Sequence, residues 1–287
     1  MIKKIVNFLK DAYPELKPVI VSKAVNGGEA TGISVKFREN TSIVWYPDNQ
    51  DNLETKVEES VNKILSLVEM ARDNCPLDQI SIPMRYEDVK DKLSIGVMNI
   101  SNAKTLKAHD IVTHIVEDLV LYPVVVLNEE MSFKVFKKHI KDWGVSEAQI
   151  FDAALHSPEL EKAELHRFSD ICCGWFEKSP DLLDEKPGSL SQELFCPLLS
   201  TGNYSTAGAI FSPKIQGKLA RLFPDGFMVL PSSIYETLIV PCGEEELAPE
   251  ELKDIVMEVN ETDVVPPYQF LSNSVYTITE GKFIKVI

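Results

Sequence analysis

The chain has 287 residues, with 29 Lys and Arg against 44 Asp and Glu, a net charge of −15 and 44 % apolar residues. That composition excludes a disordered chain, a collagen-like fibre and a disulfide scaffold, and a chain of this length buries roughly three quarters of its unfolded surface. The negative excess repels phosphate backbones and anionic lipid over a Debye length, about 8–10 Å at physiological salt, so neither nucleic acid nor a membrane is an expected partner.

The first segment, 2–13, predicts a helix: Ile2, Ile5, Val6, Leu9 and Ala12 fall at helical spacing and Pro14 stops it. A strand follows over 19–25, then a turn at Asn26-Gly27-Gly28. Ile33, Val35 and Phe37 alternate with Ser34, Lys36 and Arg38, the pattern of a half-buried strand. Residues 42–46 give a third strand, so hairpin-length links suggest an antiparallel meander. Leu53, Val57, Val61, Ile64, Leu65 and Val68 then make one apolar stripe of a helix ending near Arg72. Residues 1–75 thus read as an α-β-β-β-α module.

The middle region, 84–158, starts with a strand at 93–100. Residues 111–118 could be a short helix, and 119–127 are β-rich and predict a strand that Pro123 demotes to an edge or marks with a bulge. Helices are expected over 132–142 and 146–156, the second opened by a Ser146-x-x-Gln149 capping box. Residues 159–194 carry nine acidic and four basic side chains and read as a connecting region of short helices. In the C-terminal module, 195–287, strands at 195–200 and 207–211 flank a hairpin loop. Helices start at Pro213 and Pro249, strands cover 227–230 and 237–241, and a last hairpin surrounds Glu280-Gly281. The fold class is α+β, with antiparallel sheets and flanking helices in two or three subdomains.

The cysteines, Cys75, Cys172, Cys173, Cys196 and Cys242, contain no Cys-x-x-Cys pair and read as reduced intracellular thiols. The N-terminus lacks a secretory signal pattern, and the longest apolar stretch falls short of the ~20 residues a membrane span needs.

Two places carry residue types suited to chemistry. Pro231-Ser232-Ser233 falls between two predicted strands, where Ser232 or Ser233 could stand on a turn as a nucleophile. The Gly-x-Ser-x-Gly elbow is missing and no His follows His166, so the segment reads first as a turn whose hydroxyls satisfy the backbone. In the second place, Asp110, His114, Glu117 and Asp118 would be neighbours on a helix and could hold a metal. On a strand, Glu117 leaves that face, and a solvated polar face is the alternative. The vicinal Cys172-Cys173 beside Trp175 and Phe176 read as small packing groups. Residues 202–208 lack the Gly-Lys-Ser/Thr of a phosphate loop, and the acidic run 244–246 reads as a solvated lead-in. The three tryptophans, Trp45, Trp143 and Trp175, suggest core packing. The densest basic run, Lys134, Lys137, Lys138 and Lys141, allows a local patch on one helix but no basic groove.

Several segments together are familiar: Leu127-Asn128-Glu129-Glu130, Trp143-Gly144-Val145-Ser146-Glu147, Ala153-Ala154-Leu155, Val229-Leu230-Pro231-Ser232-Ser233-Ile234-Tyr235-Glu236 and Glu258-Val259-Asn260. In these the chain resembles the bacterial family known as domain of unknown function 5688, found largely in gut Firmicutes. Tyr235 stands where that family often has a His. The resemblance implies an intracellular bacterial protein and assigns no activity, substrate or catalytic residue.

No coherent catalytic set emerges, and no cofactor is expected. The leading expectation is a cytosolic, non-enzymatic protein that binds another protein. The alternative is a small-molecule binder or hydrolase using Ser232 and Ser233, or the Asp110–Asp118 cluster.

Overall fold

The computed structural model describes residues 2–25, 28–37, 40–46, 61–62, 64–65, 85–127, 132–172, 179–190, 193, 195–200, 206–243, 247–261 and 269–287. The chain divides into two compact units, Met1–Met84 and Arg85–Ile287.

In the first unit, helix α1 (Ile2–Ala12) buries Ile5, Val6 and Leu9. An antiparallel sheet follows, built from β1 (Val19–Val25), β2 (Gly28–Phe37) and β3 (Asn40–Tyr46) in that order. The α1 stripe packs with Ile33 and Val35 of β2, and with Val61 and Ile64. Most of the helix expected over 53–72 lies outside the described residues, but 61–62 and 64–65 are helical.

The second unit holds two antiparallel sheets. A short helix α2 (Tyr86–Val89) leads into β4 (Leu93–Asn99), then α3 (Ala103–Ala108), β5 (His114–Val116), β6 (Leu119–Val126) and β7 (Ser132–Lys134). Helices α4 (Lys137–Trp143) and α5 (Glu147–Leu155) follow. Next come β8 (Ala163–Leu165), α6 (Phe168–Cys172), β9 (Cys196–Ser200) and α7 (Pro213–Leu222). The chain continues with β10 (Phe227–Ser233), β11 (Glu236–Pro241), α8 (Pro249–Glu261), β12 (Tyr276–Thr279) and β13 (Lys282–Lys285). The smaller sheet runs β4-β6-β5 with β7 also on β6, and the larger runs β13-β12-β10-β11-β9-β8.

Both sheets feed one core, with Ile95 and Val97 of β4, Leu121 and Val125 of β6, Leu198 of β9, Val229 of β10 and Ile239 of β11. The middle, connecting and C-terminal stretches of sequence therefore pack together in this unit. The far face of the larger sheet is covered by α8, whose Leu252 and Val256 meet Leu230, Val240 and Val275.

Four expectations need correction. Pro123 neither makes β6 an edge nor bulges it. β6 is central, with β4 on one side and β5 and β7 sharing the other. Pro123 sits where β5 ends and β7 begins, so its missing N–H leaves no ladder bond unmade. Residues 132–134 are strand, not helix, and α4 starts only at Lys137. The connecting region contributes β8 to the larger sheet. Finally, Thr206–Phe211 is a 3-10 helix and not the second strand of a hairpin. Its residues 207–211 are buried, and a tight helical turn lets an apolar run fill the space beside β4.

That turn comes so close that a Cβ on Gly208 would run into the Ile95 carbonyl, whereas a Cβ on Gly217 in α7 meets nothing within 4 Å. Gly208→Ala is expected to lower stability by about 1–3 kcal/mol, because backbone must move to admit the methyl. Gly217→Ala should raise it by about 0.5–1 kcal/mol, through helix propensity alone. Urea midpoints of the two variants test both signs.

Candidate functional site

The four acidic and histidine candidates are not gathered on one helix face. Asp110 is exposed in a tight turn with φ 55°, and its carbonyl accepts from the Lys137 N–H at 2.8 Å. His114 is exposed on β5, its ring 5.6 Å from the Phe151 ring. Glu117, with φ 53°, turns the chain from β5 into β6 and points to solvent. Asp118 alone is partly buried. Among the described residues no group of three or more His, Cys, Asp or Glu is placed to hold a metal.

The serine candidates do not stand on a turn. Ser232 and Ser233 end β10, where the pairing with β11 shifts register between Leu230 and Ser233, and the turn itself is Ile234-Tyr235. The buried Ser233 hydroxyl accepts the Tyr235 N–H at 3.1 Å, closing that turn. Cys172 ends α6 and Cys173 lies outside the described residues, as do 201–205 and 244–246. Burial pushes the Cys196 thiol up to about 12, which leaves it a packing group at neutral pH.

Asp118 has partners far from it along the chain. Its Oδ1 accepts from the Tyr276 hydroxyl. Its Oδ2 accepts from Ser272 Oγ at 3.1 Å, Ser274 Oγ at 3.0 Å and Lys285 Nζ at 3.2 Å. Ser272 Oγ also lies 2.8 Å from the Tyr276 oxygen and accepts the Ser274 N–H at 3.0 Å. Nearby, Asn99 Nδ2 donates to the Leu271 carbonyl at 2.6 Å. The group joins the β5–β6 turn to the last hairpin, so it works as a polar clasp between the two sheets. Burial works against the ionised Asp118, but the hydrogen bonds from Tyr276, Ser274, Lys285 and Ser272 outweigh it and hold the carboxyl below its ordinary value. Burial, then the Asp118 hydrogen bond, push the Tyr276 phenol up, so it stays protonated and donates.

The second constellation is aromatic and basic. Phe133 lies on β7, and Phe136 stands just before α4 in extended geometry. The Phe136 N–H donates to His139 Nδ1 at 3.3 Å, so the neutral ring carries its proton on Nε2. His139 stacks on Trp143 at 5.3 Å and meets the edges of Phe133 and Phe136 at 5.3 and 5.4 Å. Tyr86 approaches Trp143 at 6.5 Å. All five rings are only half-buried. Burial, with Lys138 adding to it and Asp142 opposing, lowers the pKa of His139. On the outward face of α4, opposite His139 and Trp143, Lys137, Lys138 and Lys141 are exposed, and on β7 Lys134 Nζ lies 5.3 Å from the centre of the Tyr122 ring.

Local sequence shapes this patch. Gly144 ends α4 in the left-handed region, φ 66°. The Val145 N–H then reaches back to the Ile140 carbonyl at 3.3 Å, a Schellman closure after only seven residues. The sequence marked the lysine run and Trp143, but not their company. Phe133 and Tyr86 arrive from other elements.

No helix among the described residues is long and apolar enough to cross a membrane. A model of a family of unknown function, DUF5688, matches residues 2–279. No curated protein matches the chain significantly, and no solved structure does.

The clasp has a defined cost when broken. Asp118→Ala leaves three hydroxyls without their acceptor and should destabilise the chain by about 2–3 kcal/mol, Asp118→Asn by less. A carboxyl held low in the folded state stabilises above its unfolded value and loses that contribution as pH falls through the folded one. Below about pH 4, wild-type stability should therefore drop more steeply than that of Asp118→Asn. Urea midpoints at stepped pH measure the difference, and parallel pH profiles would contradict it.

Proposed function

The chain belongs to this family of unknown function, and from its geometry we propose that it is a non-enzymatic cytoplasmic protein that binds another protein through the aromatic and basic patch on α4. The observation that carries this reading is the pairing on one short helix of a half-buried ring cluster, Tyr86, Phe133, Phe136, His139 and Trp143, with an outward face that carries the exposed Lys137, Lys138 and Lys141. Aromatic side chains concentrate at protein interfaces because they offer large contact area for little lost conformational freedom. The lysines select the sign of the partner. On a chain of net charge −15, this surface favours a segment that is acidic and apolar together. Support also comes from the other candidates: the Ser233 hydroxyl and the Asp118 carboxylate are already engaged in closing turns and clasping sheets.

A display selection of random peptides against the intact chain tests the reading. Acidic sequences with aromatic or aliphatic anchors should be enriched, and Lys137→Glu with Lys138→Glu should weaken them at least about tenfold. Trp143→Ala should cost about 2 kcal/mol of binding. Enrichment without charge preference, or binding that survives the lysine reversal, would contradict it. So would a DNA or RNA oligonucleotide that occupies the patch with a steep salt dependence.

A further inference from the structure

We propose that His139 is a pH switch on α4: the neutral ring caps the first turn of the helix, and a proton on the ring opens that turn. The switch belongs to the chain itself and holds whatever α4 binds.

The start of α4 is poorly suited to a helix. Its first three residues are Lys137, Lys138 and His139, and its first turn holds no acidic residue. The unpaired N–H groups of a helix N-terminus favour anions, so cations there are unfavourable. Phe136, in the cap position, has no side-chain oxygen to accept them. At the Ile111–Phe136 bridge the Val112 N–H donates to the Val135 carbonyl and the Lys137 N–H to the Asp110 carbonyl. That pattern turns the N–H of Phe136 itself away from Ile111. It donates instead to His139 Nδ1, at 3.3 Å. One imidazole lone pair thus does for α4 what Gln149 does for α5, where Gln149 Oε1 accepts the Ser146 N–H at 2.9 Å.

A proton on Nδ1 occupies that lone pair. Two N–H groups then face each other, and the Phe136 N–H loses its acceptor. The new charge also becomes the third cation in a row at the positive end of the helix. The stack on Trp143 works the other way, because an indole face attracts a cation. Burial of the ring lowers its pKa, with Asp142 favouring the proton and Lys138 opposing it. Among the described residues, the other elements bring no charge against the ring. β7 brings Phe133, while its Lys134 lies over Tyr122. α2 brings Tyr86 up to Trp143, and burial pushes that phenol up, so it stays neutral. A His held below its ordinary value of about 6.5 stabilises the fold above that value, and the contribution is lost as pH falls through the folded one.

An NMR titration of the full chain with pH tests this. The ring signals of His139, assigned by His139→Gln, should titrate with a midpoint below about 6.5. The Phe136 amide and the Trp143 indole should move with the same midpoint. Protection of the α4 amides against hydrogen exchange should fall at least about tenfold across it. In His139→Gln the side-chain oxygen keeps the acceptor and takes no proton, so these changes should vanish and the turn should stay closed in acid. His139→Lys carries the charge permanently and should show the open turn at neutral pH. Phe136 and Trp143 signals that ignore the His139 titration would overturn the inference. So would the same transition surviving in His139→Gln, or a closed turn in His139→Lys. The wild-type titration decides by itself where a variant does not fold.

Discussion

The α4 surface depends on a hydrogen bond that cannot form. Pro123 lies in the middle of β6 and has no N–H to offer. On that side β5 pairs only as far as Leu121 and β7 takes over at Val124. The Pro123 carbonyl accepts from Val135, and Val135 in turn accepts from Val112. From there the order is forced. Ile111 bridges to Phe136, and Asp110 receives the first N–H of α4. One imino acid therefore divides the side of β6 between two short strands and sets the place where the aromatic helix begins. A residue with an N–H there would leave a buried donor to satisfy, or would let one strand run through and displace the other.

Charge then distinguishes this surface from the rest. The chain as a whole repels anions, and Lys137, Lys138 and Lys141 make a local exception on the outward face of α4. Isolated exposed charges contribute little to stability, because water and salt screen them. At an interface the same charges act differently. They steer the encounter and penalise partners of the wrong sign. The rings anchor the inner side of α4, the lysines supply selection on its outer side, and the early glycine stop keeps the helix short. The Asp118 clasp has another task. It ties the turn before β6 to the final hairpin, so the sheet that carries α4 and the sheet that carries α8 are held as one unit.

Local features were legible wherever local chemistry decides. The Ser146–Gln149 capping box is formed, with the Ser146 N–H on Gln149 Oε1 at 2.9 Å and the Gln149 N–H on Ser146 Oγ at 3.2 Å. The last hairpin turns at Glu280 and Gly281, both with positive φ, as a two-residue connection requires. What failed was decided at distance. Phe133 has helical spacing to its neighbours, yet it pairs with Val125 and joins a strand. Residues 207–211 are apolar in a row, a pattern that strand and helix share, and the space beside Ile95 settled it. The Asp118 clasp was invisible because its partners lie 154 to 167 residues away. In the proposed site, Trp143 and the lysines could be read as a run, but their union with Tyr86 and Phe133 is made by the fold.

The most direct test of the central claim is the indole N–H resonance of Trp143 in a chain labelled with nitrogen-15 at its 3 tryptophans, assigned by Trp143→Phe and followed by NMR as an acidic peptide with aliphatic anchors is added at low salt. The account predicts that this resonance moves as peptide is added and returns when salt is added, because an acidic partner comes to lie against α4. A resonance that stays fixed at every peptide concentration would contradict it, and would leave α4 without the partner chemistry assigned to it.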